Sequence, residues 1–174
     1  SARFMGGREI ESVIGIDTRR VDIIPDQPAL LAAVPAVINS GAMMLPTLAH
    51  GCGPFPMRKG HWLNEPGDWF ERRASMCLYA AMVADVSLDL IGSQSRLLVE
   101  GRFAEAEVFV RALASLRPET EVLTANAHND VSFGALRLID PALKPNGDLR
   151  RMQPLDQDLS AFRSKWRNAL GEAA

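Results

Sequence analysis

The chain has 174 residues, 47% of them hydrophobic, which suffices to bury a core in one domain and excludes a short peptide or a disordered tail. Lys and Arg (19) nearly balance Asp and Glu (21), so the formal charge of -2 gives no general attraction to phosphate backbones or anionic lipid, and neither a nucleic-acid binder nor a membrane-surface protein is indicated. Two cysteines, Cys52 and Cys77, cannot make a dense disulfide framework. With no basic and apolar leader in Ser1-Ala2-Arg3-Phe4, and no apolar stretch long enough to span a bilayer, a cytoplasmic, reducing setting is expected.

Taken in chain order, Phe4-Met5-Gly6-Gly7-Arg8-Glu9 reads like the middle of a domain, and a piece of something longer is expected. Ile10, Val13 and Ile14 sit at helical spacing with Gly15 as the stop, so a short helix with a glycine-rich start is predicted over 6–14. Residues 26–40 hold a second apolar run, and Pro35 inside it predicts a kink or two short helices. Between Gly41 and Gly67 the density of Gly and Pro predicts an ordered loop with at most short strands, long enough to carry function or to cover something.

Asp68 followed by Glu71 has the form of a capping box, opening a long helix to Ile91 that is apolar on most of its circumference. Leu97-Leu98-Val99 reads as a strand running into Glu100-Gly101-Arg102. A helix over 104–116, a strand over Glu121-Val122-Leu123-Thr124 and a helix over 131–139 follow. Strand, helix, strand, helix in that order predicts an α/β fold, with parallel strands joined by crossover helices. Pro145-Asn146-Gly147 is a turn, and Leu159, Phe162, Trp166 and Leu170 mark an amphipathic C-terminal helix packed back onto the domain.

Several residues carry possible chemistry. Gly6-Gly7 at a helix start suits a phosphate, because the first backbone N–H groups of a helix lack intrahelical partners, but for the pair alone a plain turn is the favoured reading. Gly101 stands at the carboxyl edge of a predicted parallel strand, where open α/β sheets place ligands, or it merely permits a tight turn. Asp85 and Asp89 share a helix face, as an acid/base or metal pair requires, but a solvated stripe is the favoured reading. His50, Cys52 and His61 lack a fourth zinc ligand at short spacing, and His128-Asn129-Asp130 is read as a helix cap. The Arg pairs at 19–20, 72–73 and 150–151 are read as solvated surface charge.

Together these features resemble the C-terminal domain of the FGGY family of carbohydrate kinases, in the actin and Hsp70-like ATPase superfamily, over nearly the whole chain. Phe4-Met5-Gly6-Gly7 is similar to the glycine pair that opens a helix beside the ATP phosphates. Leu45-Pro46-Thr47-Leu48, Gly51, Gly53-Pro54, Pro56 and Gly60 resemble the family's Pro/Gly loop. Arg73-Ala74 resembles the opening of the long helix, Leu97 to Gly101 the strand entering the adenine-side glycine motif, and Gly134-Ala135 a Gly-Ala near the family's C-terminus. The resemblance implies a partial ribonuclease H-like (actin-like ATPase) domain and the cofactors ATP and Mg2+. The nucleotide contacts it implies are Gly6, Gly7 and Glu11 on the phosphate side, and Gly101 with Arg102 beside the adenosine.

Only Gly101 is a glycine where the family has two or three, and Ala106 stands where Asn or Ser is common. Arg102 either blocks the purine or stacks on it. The resemblance places the catalytic Asp, the sugar pocket and the Gly-Thr phosphate motif upstream, so no catalytic or metal-ligating residue is assigned here. The chain alone is expected to be inactive, as the ATP-side half of a kinase acting on a sugar or polyol. The other implied partners are an N-terminal sugar-binding domain and a possible second copy of the chain. Two alternatives are a non-catalytic nucleotide- or sugar-responsive module with a degenerate ATP site, and a structural or dimerising domain.

Overall fold

The computed structural model describes residues 3–17, 20–125, 131–144 and 148–171. Helix α1 (Gly6–Ile14) ends at Gly15, whose left-handed backbone (φ 67°) returns its N–H to the Glu11 carbonyl at 2.8 Å. A 3-10 turn (Ile24–Asp26) leads into α2 (Gln27–Ser40). α2 is one 14-residue helix with Pro35 inside it, so of the two outcomes expected there the pair of short helices does not form. Leu30, Val34 and Val37 are buried on the face turned to the core, and that packing outweighs the one backbone bond Pro35 forfeits.

The Pro/Gly segment contains two short strands, β1 (Met43–Leu45) and β2 (His61–Leu63), paired antiparallel with Met44 opposite Trp62. The loop between them is closed on itself. Thr47 Oγ1 donates to the Phe55 carbonyl at 2.6 Å, and the Gly60 N–H donates to the Thr47 carbonyl at 2.8 Å. Helix α3 (Trp69–Leu90) starts where the capping residue requires, since Asp68 Oδ1 accepts from the N–H groups of Phe70 (2.8 Å) and Glu71 (3.0 Å). It packs against α1, α2, β1 and the later helix α4, which explains why so much of its circumference is apolar.

β3 (Arg96–Val99) is followed by a 3-10 segment (Gly101–Glu105) and then α4 (Glu107–Leu116), so the helix expected from residue 104 starts three residues later. Ala106 interrupts it with an extended ψ of 88°. β4 (Glu121–Ala125) lies parallel to β3, with Leu97 opposite Val122, and the crossover through α4 is the expected one. α5 (Val131–Ile139) leaves Leu136, Leu138 and Ile139 exposed. The triplet 128–130 and the turn at 145–147 lie outside the described residues.

β5 (Leu149–Arg151) pairs antiparallel with β4, giving a three-stranded sheet in the order β3-β4-β5. This is the mixed α/β architecture of a partial ribonuclease H-like domain. α6 (Ser160–Ala169) closes the molecule, burying Phe162 and Trp166. Among the described residues, no helix is long and apolar enough to cross a membrane.

The aspartate pair on α3 is not a solvated stripe. Asp85 is only 1% exposed, and its carboxylate meets Arg117 (2.9 Å), Arg163 (2.6 Å) and Arg167 (3.2 Å). Asp89 meets Arg117 at 2.7 Å and Arg167 at 3.0 Å, and Arg117 also donates to the Ser93 carbonyl. Three arginines from the end of α4 and from α6 therefore clamp two carboxylates of α3. Arg73 is a second correction: it is buried rather than solvated, paired with Asp26 at 2.6 Å and lying over the Trp69 and Phe70 rings.

Candidate functional site

α1 enters from an N-cap, Met5, that makes no side-chain cap bond, so the N–H groups of its first turn, at Gly6 and Gly7, are not capped by it. Gly6, Gly7 and Glu11 line a cavity of about 310 Å³ together with Phe4, Met5, Arg8 and Phe103. The two glycines differ in what they do. A Cβ on Gly6 would stand 2.6 Å from the Phe4 ring and 3.1 Å from Phe103, so its smallness is used for packing. A Cβ on Gly7 would meet nothing within 4 Å.

Gly101 follows β3 with φ 67°, a left-handed conformation that costs a side chain about 1–2 kcal/mol. It and Arg102 border a larger open cavity of about 910 Å³, whose other walls include Gln27, Glu105, Glu107, Thr124 and Arg150. The segment 101–105 thus stands between the two cavities, with Phe103 turned to the smaller one. Gly7 and Arg102 also share a mostly apolar cavity of about 60 Å³, lined as well by Gln27, Arg73 and Cys77. Glu11 lines the smaller of the two cavities and Gly101 the larger. The Arg102 guanidinium bonds Glu105 at 2.6 Å and the Val21 carbonyl at 2.8 Å, bracing this loop against the chain ahead of α2.

Two residues that the motifs do not single out tie α1 into the fold. The buried Glu9 carboxylate accepts from the Tyr79 hydroxyl at 2.7 Å and from the Ala49 N–H at 3.0 Å, joining α1 to α3 and to the Pro/Gly loop. Burial first, then the hydrogen bond to Glu9 and its charge, push the Tyr79 phenol far up, so it stays protonated and donates. The signal in the sequence is the position of Glu9 on the same stripe as Ile10, Val13 and Ile14, where a carboxylate needs dedicated partners.

Cys77 faces the small cavity. Burial pushes its thiol up to about 11, only partly offset by the charge of Arg73. Both cysteines are half-buried, so it is the raised thiol that is expected to spare Cys77 from iodoacetamide on the folded protein at pH 7.5 while Cys52 reacts, with Cys77 labelled after unfolding. Mass spectrometry finding Cys77 modified in the folded protein would contradict this. Among the described residues, no three His, Cys, Asp or Glu side chains converge on a point that a metal ion could occupy.

A partial ribonuclease H-like domain, with one glycine pair opening a helix and another glycine leaving a parallel strand, defines the class to which this chain is compared. The family model described as "Carbohydrate kinase FGGY, C-terminal domain" matches residues 1–146. The crystal structure of a carbohydrate kinase from Novosphingobium aromaticivorans is 66% identical and superposes with a TM-score of 0.89, covering 98% of this chain and 36% of that one. Among curated proteins no match was found. The chain belongs to the FGGY carbohydrate kinases and is their C-terminal domain. It spans a little over a third of the related kinase's length.

Proposed function

We propose that this domain is the ATP-binding half of a kinase that transfers the γ-phosphate of ATP to a hydroxyl of a sugar or polyol. The observation that carries the reading is that the two glycine turns, Gly6-Gly7 and Gly101, open on two cavities that lie on either side of the 101–105 segment. The first-turn N–H groups of α1, which Met5 does not cap, suit the phosphates, and the larger cavity beside Gly101 suits the nucleoside. Glu11 supplies one carboxylate at the phosphate side. Magnesium commonly binds through one or two carboxylates plus the phosphates themselves, so this donor set fits it without an all-protein cage. ATP and magnesium supply the phosphoryl group and its charge neutralisation. The residues of this chain bind, orient and shield them.

Phosphoryl transfer depends on positioning and on charge stabilisation by both walls of a cleft. The base that accepts the sugar proton is assigned to the rest of the kinase, and this domain alone is expected to be inactive. Two cysteines outside any disulfide suit a reducing, cytoplasmic setting. The test is MgADP binding to the full-length kinase carrying Gly7→Asp. A Cβ there would meet no other part of the protein within 4 Å, so the fold should tolerate the change, while the added carboxylate would face the phosphates. Binding weakened at least about tenfold, with thermal stability kept, is expected from like-charge juxtaposition. Unchanged binding would remove the phosphate from α1. A sugar panel on the full-length enzyme, with ADP release as readout, then identifies the acceptor.

A further inference from the structure

We propose that Gln27 is a positioning residue for nucleotide binding: from the start of α2 it caps helix α4 and thereby holds the loop that carries Gly101 and Arg102. The inference rests on the nucleotide-site reading above. α4 begins at Glu107, and the residue before it, Ala106, has no side-chain acceptor for the unpartnered N–H groups of the first turn. The cap comes from 80 residues away, where Gln27 Oε1 accepts from the Glu107 N–H at 2.8 Å.

The other end of the same amide is also committed. Gln27 Nε2 donates to the Ile23 carbonyl at 2.8 Å, so the orientation of the amide is fixed, since a flip would set donor against donor. Gln27 is 5% exposed, and water is poorly placed to replace either bond. Arg102 makes a parallel tie to the Val21 carbonyl. The two side chains together bind the 101–107 segment to the 21–27 segment. Of the two, the buried Gln27 is the stricter constraint, and it borders both the shared small cavity and the large one. The sequence placed a nucleotide contact at Gly101, but the part that fixes its position lies on a different helix.

The experiment uses the full-length kinase with Gln27→Met, which keeps length and removes the amide. MgADP affinity is measured by titration calorimetry well below the melting temperature, and hydrogen exchange is followed over 101–109. The expected result is binding weaker by about three- to tenfold, the range spanned by one lost buried hydrogen bond, with faster exchange in 101–109 and unchanged exchange in α1. Ser75→Ala is the control, because it removes a buried bond to the Ala42 carbonyl (3.0 Å) at a residue that lines none of the three cavities above, and should lower stability without altering affinity. If Gln27→Met lowers stability as Ser75→Ala does and leaves affinity and local exchange unchanged, the proposal is overturned.

Gln27→Asn is the second variant: it keeps a neutral amide and is more conservative in a buried site, but it is one methylene too short to reach the Glu107 N–H and the Ile23 carbonyl together. It should show the same faster exchange over 101–109 and the same direction of affinity loss as Gln27→Met. Should Gln27→Met not fold, exchange over 101–109 in Gln27→Asn decides, with faster exchange confined to that segment supporting the cap and unchanged exchange there overturning it. A wild-type enzyme that binds no MgADP would instead refute the nucleotide-site reading, and the exchange measurements would still say whether Gln27 holds the loop.

Discussion

Asp85→Ala is expected to lower the unfolding free energy by about 3 kcal/mol, the low end for removing one partner of a buried ion pair. The reason is local electrostatics. Asp85 is fully buried and neutralises guanidinium groups from two other elements, and Asp89 alone would be left to balance Arg117, Arg163 and Arg167. The loss is held to the low end because Arg163 and Arg167 are partly exposed and can turn to water. A urea titration should show a lower midpoint with an unchanged slope. A midpoint within error of wild type would mean that the clamp contributes nothing to stability.

The same cluster makes an acid-dependence prediction. Burial by itself raises the Asp89 carboxyl, but hydrogen bonds from Arg117 and Arg167, and their charges, outweigh it and hold the group below its ordinary 3.8. A carboxyl depressed by folding contributes stability that is present above its unfolded value and is lost as pH falls through its folded value. The wild-type urea midpoint should therefore drop on acidification below about pH 4. Asp89→Asn should flatten that part of the curve.

Trp166→Ala is expected to cost about 3–5 kcal/mol, the range for emptying a buried aromatic site. Trp166 is 1% exposed, meets Phe55 edge-on at 5.8 Å, and donates its indole N–H to the Met44 carbonyl at 2.9 Å. One side chain thus holds β1, the Pro/Gly loop and α6 together. For a domain of this size, the loss corresponds to a melting point lower by about 10 °C. Calorimetry showing a shift of only a degree or two would mean that α6 docks weakly and that the loop is held by its own bonds.

The elements that sequence reading recovered are those whose signals are local. α1, α3 and α6 show apolar residues at helical spacing with a stop or a cap, and β3, α4 and β4 follow the strand-helix-strand order of a parallel crossover. Where the reading failed, the deciding partner was distant. Asp85 looked like a surface residue because Arg117 and Arg167 stand 32 and 82 positions away, and Arg73 looked like one half of a surface pair for the same reason. β5 has three residues and no alternation of its own. It exists because β4 offers it an edge.

The candidate site divides the same way. Gly7 and Gly101 were legible because glycines at a helix start and after a strand have a local backbone reason. Glu9 was legible only in its need for partners, from its place on the apolar stripe of α1, and not in its bond to Tyr79, while nothing near Gln27 in sequence reveals that it caps α4.

The family match ends at residue 146, yet the helix that seals the β1 region begins at Ser160. Met44 and Phe55 therefore leave the ribosome more than a hundred residues before the indole that covers them. During synthesis, the Pro/Gly segment waits with an unfilled apolar slot while the helices and sheet around α3 assemble, because chains fold as they emerge and distant contacts close late. Truncated or stalled translation products should accordingly be the form of this protein that chaperones hold longest.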